Sequence, residues 1–112
     1  MRNFQLEQKL CDAIAKHRVI QLKYDKDIHW RTFEPQAVYK STVDHINLTG
    51  IQTQDKNKPL KPNKREPRNF ELRKIKTVEV TDIEFKFDPT FDPRDERFAH
   101  GIICVIKSSK IS

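Results

Sequence analysis

Apolar and polar side chains alternate through Val19-Ile20-Gln21-Leu22-Lys23-Tyr24, which places Ile20, Leu22 and Tyr24 on one face. Alternation with a period of two is typical of a strand that buries one face. The same short period returns further along the chain, in residues 28–40, 45–53 and 70–87. An almost continuous apolar run, 101–106, follows and is typical of a buried strand. The chain is therefore predicted to be mainly β, with five or six strands.

Two residues inside the predicted strands indicate bends. Pro35 interrupts the segment 28–40, and proline in a strand requires an edge position or a bulge because it has no N–H to donate. Gly50 interrupts the segment 45–53 and indicates the kind of bend that small barrels need. The segment 54–67, called the basic loop below, holds three prolines and five basic residues and is predicted to connect two strands.

A helix is predicted before the strands. Asn3 can cap its first turn, and an apolar stripe follows helical spacing as far as about His17. The stripe comprises Leu6, Leu10, Ala13 and Ile14. Because only one face is apolar, the helix needs a partner surface. The whole pattern predicts one domain over 1–112, a small bent β-barrel with a packed N-terminal helix and a C-terminal extension at 93–112.

The composition argues against several functional classes. No apolar run approaches the roughly 20 residues that span a bilayer, and the N-terminus lacks the apolar part of a signal peptide. The chain has only two glycines, which excludes a glycine-rich phosphate loop. No metal-ligand spacing or nucleophile motif is present, so we expect no metal, no cofactor and no enzymatic activity. Cys11 and Cys104 lie far apart and are predicted to be buried thiols of a cytoplasmic protein, not a disulfide.

The positive charge is concentrated in the middle of the chain. Residues 53–76 hold nine basic and three acidic residues, which equals the whole net charge of +6. Residues 79–96, called the acidic stretch below, carry seven acidic and two basic residues. An excess of positive charge favours an anionic partner such as nucleic acid, without identifying it.

Five short motifs follow one another along the predicted helix and strands. They are Leu10-Cys11-Asp12-Ala13-Ile14, Val19 to Tyr24, Arg31-Thr32-Phe33-Glu34-Pro35, Ile46-Asn47-Leu48-Thr49-Gly50 and Arg68-Asn69-Phe70-Glu71-Leu72-Arg73-Lys74-Ile75. Their order resembles the WYL domain family, whose strands carry Arg-x-x-x-Pro, Trp-Tyr-Leu-x-Gly and Arg-x-Phe-x-x-x-Arg-Ile. The resemblance covers about residues 6–92. The chain keeps Leu48 of the name-giving triplet and has Lys74 where the family has Arg.

The resemblance implies an Sm-like, SH3-type barrel and a stand-alone regulatory module of bacterial or phage type. Such a module would bind single-stranded nucleic acid or a nucleotide-like ligand through a basic patch on the barrel. The matching positions are Tyr24, Arg31, Asn47, Arg68 and Lys74. Arginines on strands hold phosphates in a fixed geometry, and an aromatic ring beside them can stack a base.

The two candidate arginines also have a simpler interpretation. Arg31 can pair with Asp27 or Glu34 as an ordinary surface charge. Arg68 can do the same with Glu71.

The basic loop is a secondary candidate site. Its basic residues are suited to following a phosphate backbone. They are Lys56, Lys58, Lys61, Lys64 and Arg65. The loop can equally be a solvated hairpin whose charges prevent edge aggregation, or a contact for the acidic stretch of a neighbouring copy.

A second hypothesis makes the chain a protein-interaction or oligomerisation module, either a homodimer or a subunit on a larger regulatory partner. Its contact surface would be the barrel edge, the acidic stretch or the apolar run 101–106. Loss of both aromatics of the triplet favours this hypothesis. Trp30 supports neither function, because alternation places it opposite His29 and Arg31 and predicts a core residue instead of a stacking platform.

Overall fold

One helix and six strands form in residues 2–42 and 44–108, the part of the chain that this computed structural model describes. In chain order they are α1 (Phe4–Ala15), β1 (Arg18–Tyr24), β2 (Arg31–Lys40), β3 (Ile46–Asp55), β4 (Glu66–Glu71), β5 (Ile75–Glu84) and β6 (Ile102–Val105). Two 3-10 turns, Leu72–Lys74 and Glu96–Phe98, follow β4 and precede β6. The prediction of a mainly β fold behind an N-terminal helix is confirmed. The end of the predicted C-terminal extension, 109–112, lies outside the described residues.

The strands form an antiparallel sheet in the order β4-β3-β2-β1-β5. β6 pairs with residues 37–39 of β2, beyond the residues 31–33 that pair with β1. The turn Leu72–Lys74 connects the two edge strands, so the sheet has to curl until its edges approach each other there. No ladder joins β4 to β5 within the described residues, so the sheet is open and the predicted closure of the barrel is not seen.

The core lies between α1 and one face of the sheet. Leu10, Ala13 and Ile14 of the predicted helical stripe are buried there. The sheet contributes Ile20, Leu22, Phe33, Leu48 and Phe70. The predicted cap is confirmed, because Asn3 Oδ1 accepts a hydrogen bond from the Leu6 amide at 3.0 Å. The helix ends two residues before the predicted end, since a positive φ of 54° at His17 turns the chain into β1.

The predicted break at Pro35 is a bulge in a central strand. The β2–β3 register shifts between Pro35 and Ala37, and Pro35 lies opposite Gly50. A side chain at Gly50 would meet the carbonyl oxygen of Glu34 and would lie 2.8 Å from the ring of Phe33. The close approach of the two strands therefore requires glycine at this position.

A disulfide joins Cys11 of α1 to Cys104 of β6, with Cα atoms 5.8 Å apart. The prediction of two separate thiols is wrong. It relied on the sequence separation of 93 residues, whereas the pairing of β6 with β2 brings Cys104 beside α1. Disulfides persist mainly in oxidising compartments, so the cytoplasmic location stays a prediction. None of the described helices is long and apolar enough to cross a membrane.

Candidate functional site

Arg31 and Arg68 lie on the face of the sheet that carries the core. Arg31 is two residues before the buried Phe33 in β2. Arg68 is two residues before the buried Phe70 in β4. Arg31 Nη1 donates a hydrogen bond to Gln52 Oε1 at 3.1 Å, and Gln52 lines a groove that also contains Arg68. Gln52 therefore contacts Arg31 and lies in the same groove as Arg68.

The guanidinium of Arg31 forms hydrogen bonds and an ion pair within the protein. Its Nε donates to Asp27 Oδ2 at 2.6 Å and its Nη2 to Asp27 Oδ1 at 3.1 Å. Its Nη1 lies 3.6 Å from Asp55 Oδ2, and its carbon lies 5.6 Å from the ring centre of Phe70. The hydrogen bond with Asp27 raises the pKa of Arg31, whose side chain is only 17% exposed. Arg31 thus braces the β1–β2 turn against β3 and is not a free cation.

Tyr24 also has structural partners. Its ring centre lies 4.8 Å from that of Phe70, and its hydroxyl accepts a hydrogen bond from the Glu71 amide at 3.1 Å. Tyr24 therefore fastens the end of β1 to the end of β4. Because its ring packs against the core, Tyr24 is a poor stacking surface for a ligand.

Lys74 belongs to a group of charges around Glu71. Lys74 Nζ lies 3.4 Å from Glu71 Oε2, while Arg73 Nε and His45 Nδ1 lie 3.1 and 3.4 Å from Oε1. Burial acts to raise the pKa of Glu71, but these three neighbours together hold it below its ordinary value. A groove of about 490 Å³ beside the group is lined by three basic residues (Arg2, Lys40, Arg73) and three acidic ones (Glu7, Asp44, Glu71). This balance gives no preference for an anion.

Asn47 stands apart from the other predicted site residues. It precedes the buried Leu48 in β3, so it lies on the opposite face of the sheet from Arg31 and Arg68. Its Oδ1 is buried and has no hydrogen-bond partner in the described part of the chain. The five predicted residues therefore do not form one continuous patch.

Hydrogen bonds hold the basic loop at both ends. Asn57 Oδ1 accepts from the amides of Ile28 and His29 at 3.1 and 2.9 Å, and Asn57 Nδ2 donates to the His29 carbonyl at 2.9 Å. These bonds fasten the loop to the turn between β1 and β2. Near the other end, Arg65 donates two hydrogen bonds to the Glu34 carboxylate, at 2.9 and 3.1 Å, and this pairing raises the pKa of Arg65.

The four lysines of the basic loop are exposed and have no carboxylate partner within residues 2–42 and 44–108. They are Lys56, Lys58, Lys61 and Lys64. The last three line a narrow groove with Arg68, and Asp55 and Glu66 lie in its wall. Arg68 Nη2 donates to Glu66 at 2.8 Å, while its Nε is buried without a hydrogen-bond partner. At about 30 Å³ the groove has room for a water or a phosphate oxygen but not for a base.

The prediction that Trp30 is a core residue is wrong. Trp30 is half-buried and belongs to neither cluster of buried apolar residues. β2 begins at Arg31, so the alternation that placed Trp30 inside does not extend to it. Asn57 was not predicted as a site residue. Asparagine is common in turns, so the sequence could indicate only that Asn57 lies in a turn. Its hydrogen-bond partners are twenty-eight and twenty-nine residues away, and they depend on the fold.

The described residues contain no group of three His, Cys, Asp or Glu side chains that could hold a metal ion. No family model matches the chain, and no curated protein and no solved structure matches it. The resemblance to WYL domains therefore stays a prediction.

We expect Asp27→Asn to lower the free energy of unfolding by about 2 kcal/mol, because it removes the charged partner of Arg31. Burial acts to raise the pKa of Asp27, but hydrogen bonds from Arg31 and the Tyr24 amide bring it below its ordinary value. A carboxyl with a lowered pKa stabilises the fold above the unfolded-state pKa and loses that contribution as the pH falls through the folded-state pKa.

Urea unfolding of wild type and Asp27→Asn between neutral pH and about pH 3 measures this effect. The difference between the two proteins should be constant near neutral pH and shrink below about pH 4. Asp82→Asn, an exposed carboxylate, is the matched control and should change little. A difference that persists undiminished at pH 3 would contradict the ion-pair assignment.

Proposed function

We propose that the protein is a non-enzymatic regulatory module, resembling WYL domains, that binds the phosphates of single-stranded nucleic acid or of a nucleotide-like ligand. An Sm-like, SH3-type fold is part of the proposal. The strand order supports it, since the last strand of the meander, β5, returns to pair with β1 in a curled sheet.

One contrast carries the proposal. The predicted cations on and beside the strands, Arg31, Arg68 and Lys74, each have a carboxylate within 3.4 Å. The four lysines of the basic loop have none in the described part of the chain. A paired cation loses its partner when it takes up a phosphate, whereas a free lysine only releases counterions. The basic loop is therefore the stronger phosphate-binding surface.

The anchors of the loop support the same proposal. Asn57 and Arg65 hold the two ends of the loop in the free protein. Binding a ligand therefore has to remove less conformational entropy from the loop. Arg68 lines the same groove as three of the lysines, and its buried Nε has no acceptor among the residues that the structure describes. A phosphate at the mouth of the groove would accept hydrogen bonds from the lysines.

An oligomerisation module is the alternative function. The observation that favours it is the open sheet, because β5 is an edge strand in the described residues and carries the exposed Val80 and Ile83. The apolar run 101–106 is a weaker candidate surface, since β6 already pairs with β2. A dimer held by the basic loop and the acidic stretch would dissociate as salt rises, which size-exclusion mass measurements test.

Fluorescence anisotropy with labelled single-stranded RNA, single-stranded DNA and duplex DNA tests the proposed function. Four phosphate contacts predict a slope of about −3 for log affinity against log salt on a single strand. The variant Lys58→Gln/Lys61→Gln/Lys64→Gln should bind more weakly and reduce the slope by about 2.

The charge-matched control is Lys16→Gln/Lys86→Gln/Lys107→Gln, which removes three exposed lysines from the other end of the molecule. It should keep most of the affinity. Equal losses in the two variants would show that binding follows net charge and not the basic loop. Absence of binding at low salt would refute the proposed function and leave the oligomerisation module.

A further inference from the structure

Trp30 has an unusual environment for a tryptophan in a small domain. Lys23 lies over the Trp30 ring, with Nζ 4.8 Å from the ring centre. Trp30 is half-buried and belongs to neither cluster of buried apolar residues in the described part of the chain, although large aromatic side chains commonly dominate the core of a domain. Its position therefore calls for an explanation other than packing.

The fold places Trp30 beside the lysines of the proposed phosphate site. The Lys56 amide donates a hydrogen bond to the Trp30 carbonyl at 3.2 Å. The next residue, Asn57, holds Ile28 and His29, the two residues before Trp30. The backbone of Trp30 thus adjoins the first lysine of the basic loop, although the two residues lie 26 positions apart in the sequence.

We propose that Trp30 is a stacking platform for one unpaired base of a single strand whose phosphates lie on the basic loop. The inference rests on the proposed function and adds a residue that binds a base to a site proposed for phosphates. Single-stranded nucleic acids are commonly bound by cations that follow the backbone together with aromatic rings that stack bases.

Stacking of a base on Trp30 requires that the base displace Lys23 from the ring, and this displacement is favourable. An exposed contact between an ammonium group and an aromatic ring is weaker than the stacking of a base on that ring. A base can therefore displace Lys23, which is long and flexible enough to move to a neighbouring phosphate. In a duplex the faces of the bases are already stacked, so the platform favours single strands. Every base has a π-face, so little sequence preference is expected.

Trp30 is the only tryptophan of the chain, so its fluorescence reports on the platform directly. We would titrate the wild-type protein at low salt with single-stranded oligodeoxythymidine, with a duplex and with inorganic polyphosphate, which has charges but no bases. The single strand should quench the tryptophan emission upon binding. Polyphosphate should bind to the lysines and leave the emission nearly unchanged.

The variant Trp30→Ala should weaken binding of the single strand about tenfold, as expected for loss of one stacked base, and should change duplex and polyphosphate binding by less than about twofold. Trp30→Phe keeps a ring and should stay within about threefold of wild type. Equal quenching by polyphosphate, or no loss in Trp30→Ala, would overturn the platform while the proposed function stands.

Two further outcomes separate the failure of the platform from that of the proposed function. If neither the oligonucleotide nor polyphosphate binds, the proposed function fails with the platform. Vesicles of equal parts phosphatidylcholine and phosphatidylserine are the last probe, because Ile28 and Leu60 beside the lysines are 76% and 99% exposed. A blue shift of Trp30 with vesicles and no quenching by the oligonucleotide would replace the platform with a membrane contact.

Discussion

Replacing both half-cystines, Cys11→Ser with Cys104→Ser, should lower the free energy of unfolding by about 4 kcal/mol. The disulfide closes a loop that spans 93 residues of the chain, and in the chain-entropy model a loop of about 100 residues contributes close to 5 kcal/mol. The cost is large for this protein, because domains of this size have a total stability of about 5–15 kcal/mol. The melting temperature should fall by about 15–25 °C.

Thermal and urea unfolding with and without a phosphine reductant measure this effect. Reduced wild-type protein should unfold close to the double variant, and reductant should leave the double variant unchanged. A thiol assay on the unfolded wild type should find no free thiol before reduction. Equal stability of oxidised and reduced wild type would contradict the disulfide.

The local features of the fold were predictable because they depend on neighbouring residues. The alternation that marks Val19 to Tyr24, the cap at Asn3 and the bulge at Pro35 each follow from side chains within one element. The disulfide was not predictable in this way. Cys104 meets α1 only because β6 pairs with β2 beyond the end of β1, and that placement is a property of the topology.

The candidate site was likewise predictable only in its local features. The sequence correctly placed Arg31 on a strand and offered Asp27 as its simpler partner, because the two residues lie four apart across a turn. It did not predict that Asn57 joins the basic loop to the turn before Trp30. Whether a surface cation is available to bind a phosphate depends on which carboxylates the fold brings near it. For that reason the paired and the free cations could not be distinguished from charge counts.

Gly50→Ala should destabilise the protein by about 3 kcal/mol or more. The added Cβ would meet the carbonyl oxygen of Glu34 and lie 2.8 Å from the ring of Phe33, which is fully buried. Overpacking a well-filled site costs about 1–3 kcal/mol where side chains can adjust. Here one of the obstacles is backbone in the bulge opposite Gly50, so the two strands would have to separate.

The sign of the change in the free energy of unfolding makes the Gly50→Ala test decisive. Glycine inside an ordinary strand is less stable than alanine by about 0.5–1 kcal/mol, so without the close approach the substitution would stabilise the protein. Gly101→Ala is the comparison, because the added Cβ has open space there and the cost of about 1 kcal/mol would come only from the positive φ of 119°. Urea unfolding should therefore rank wild type above Gly101→Ala, and Gly101→Ala above Gly50→Ala. A stabilised Gly50→Ala would mean that β2 and β3 do not approach as closely as described at the bulge opposite Gly50.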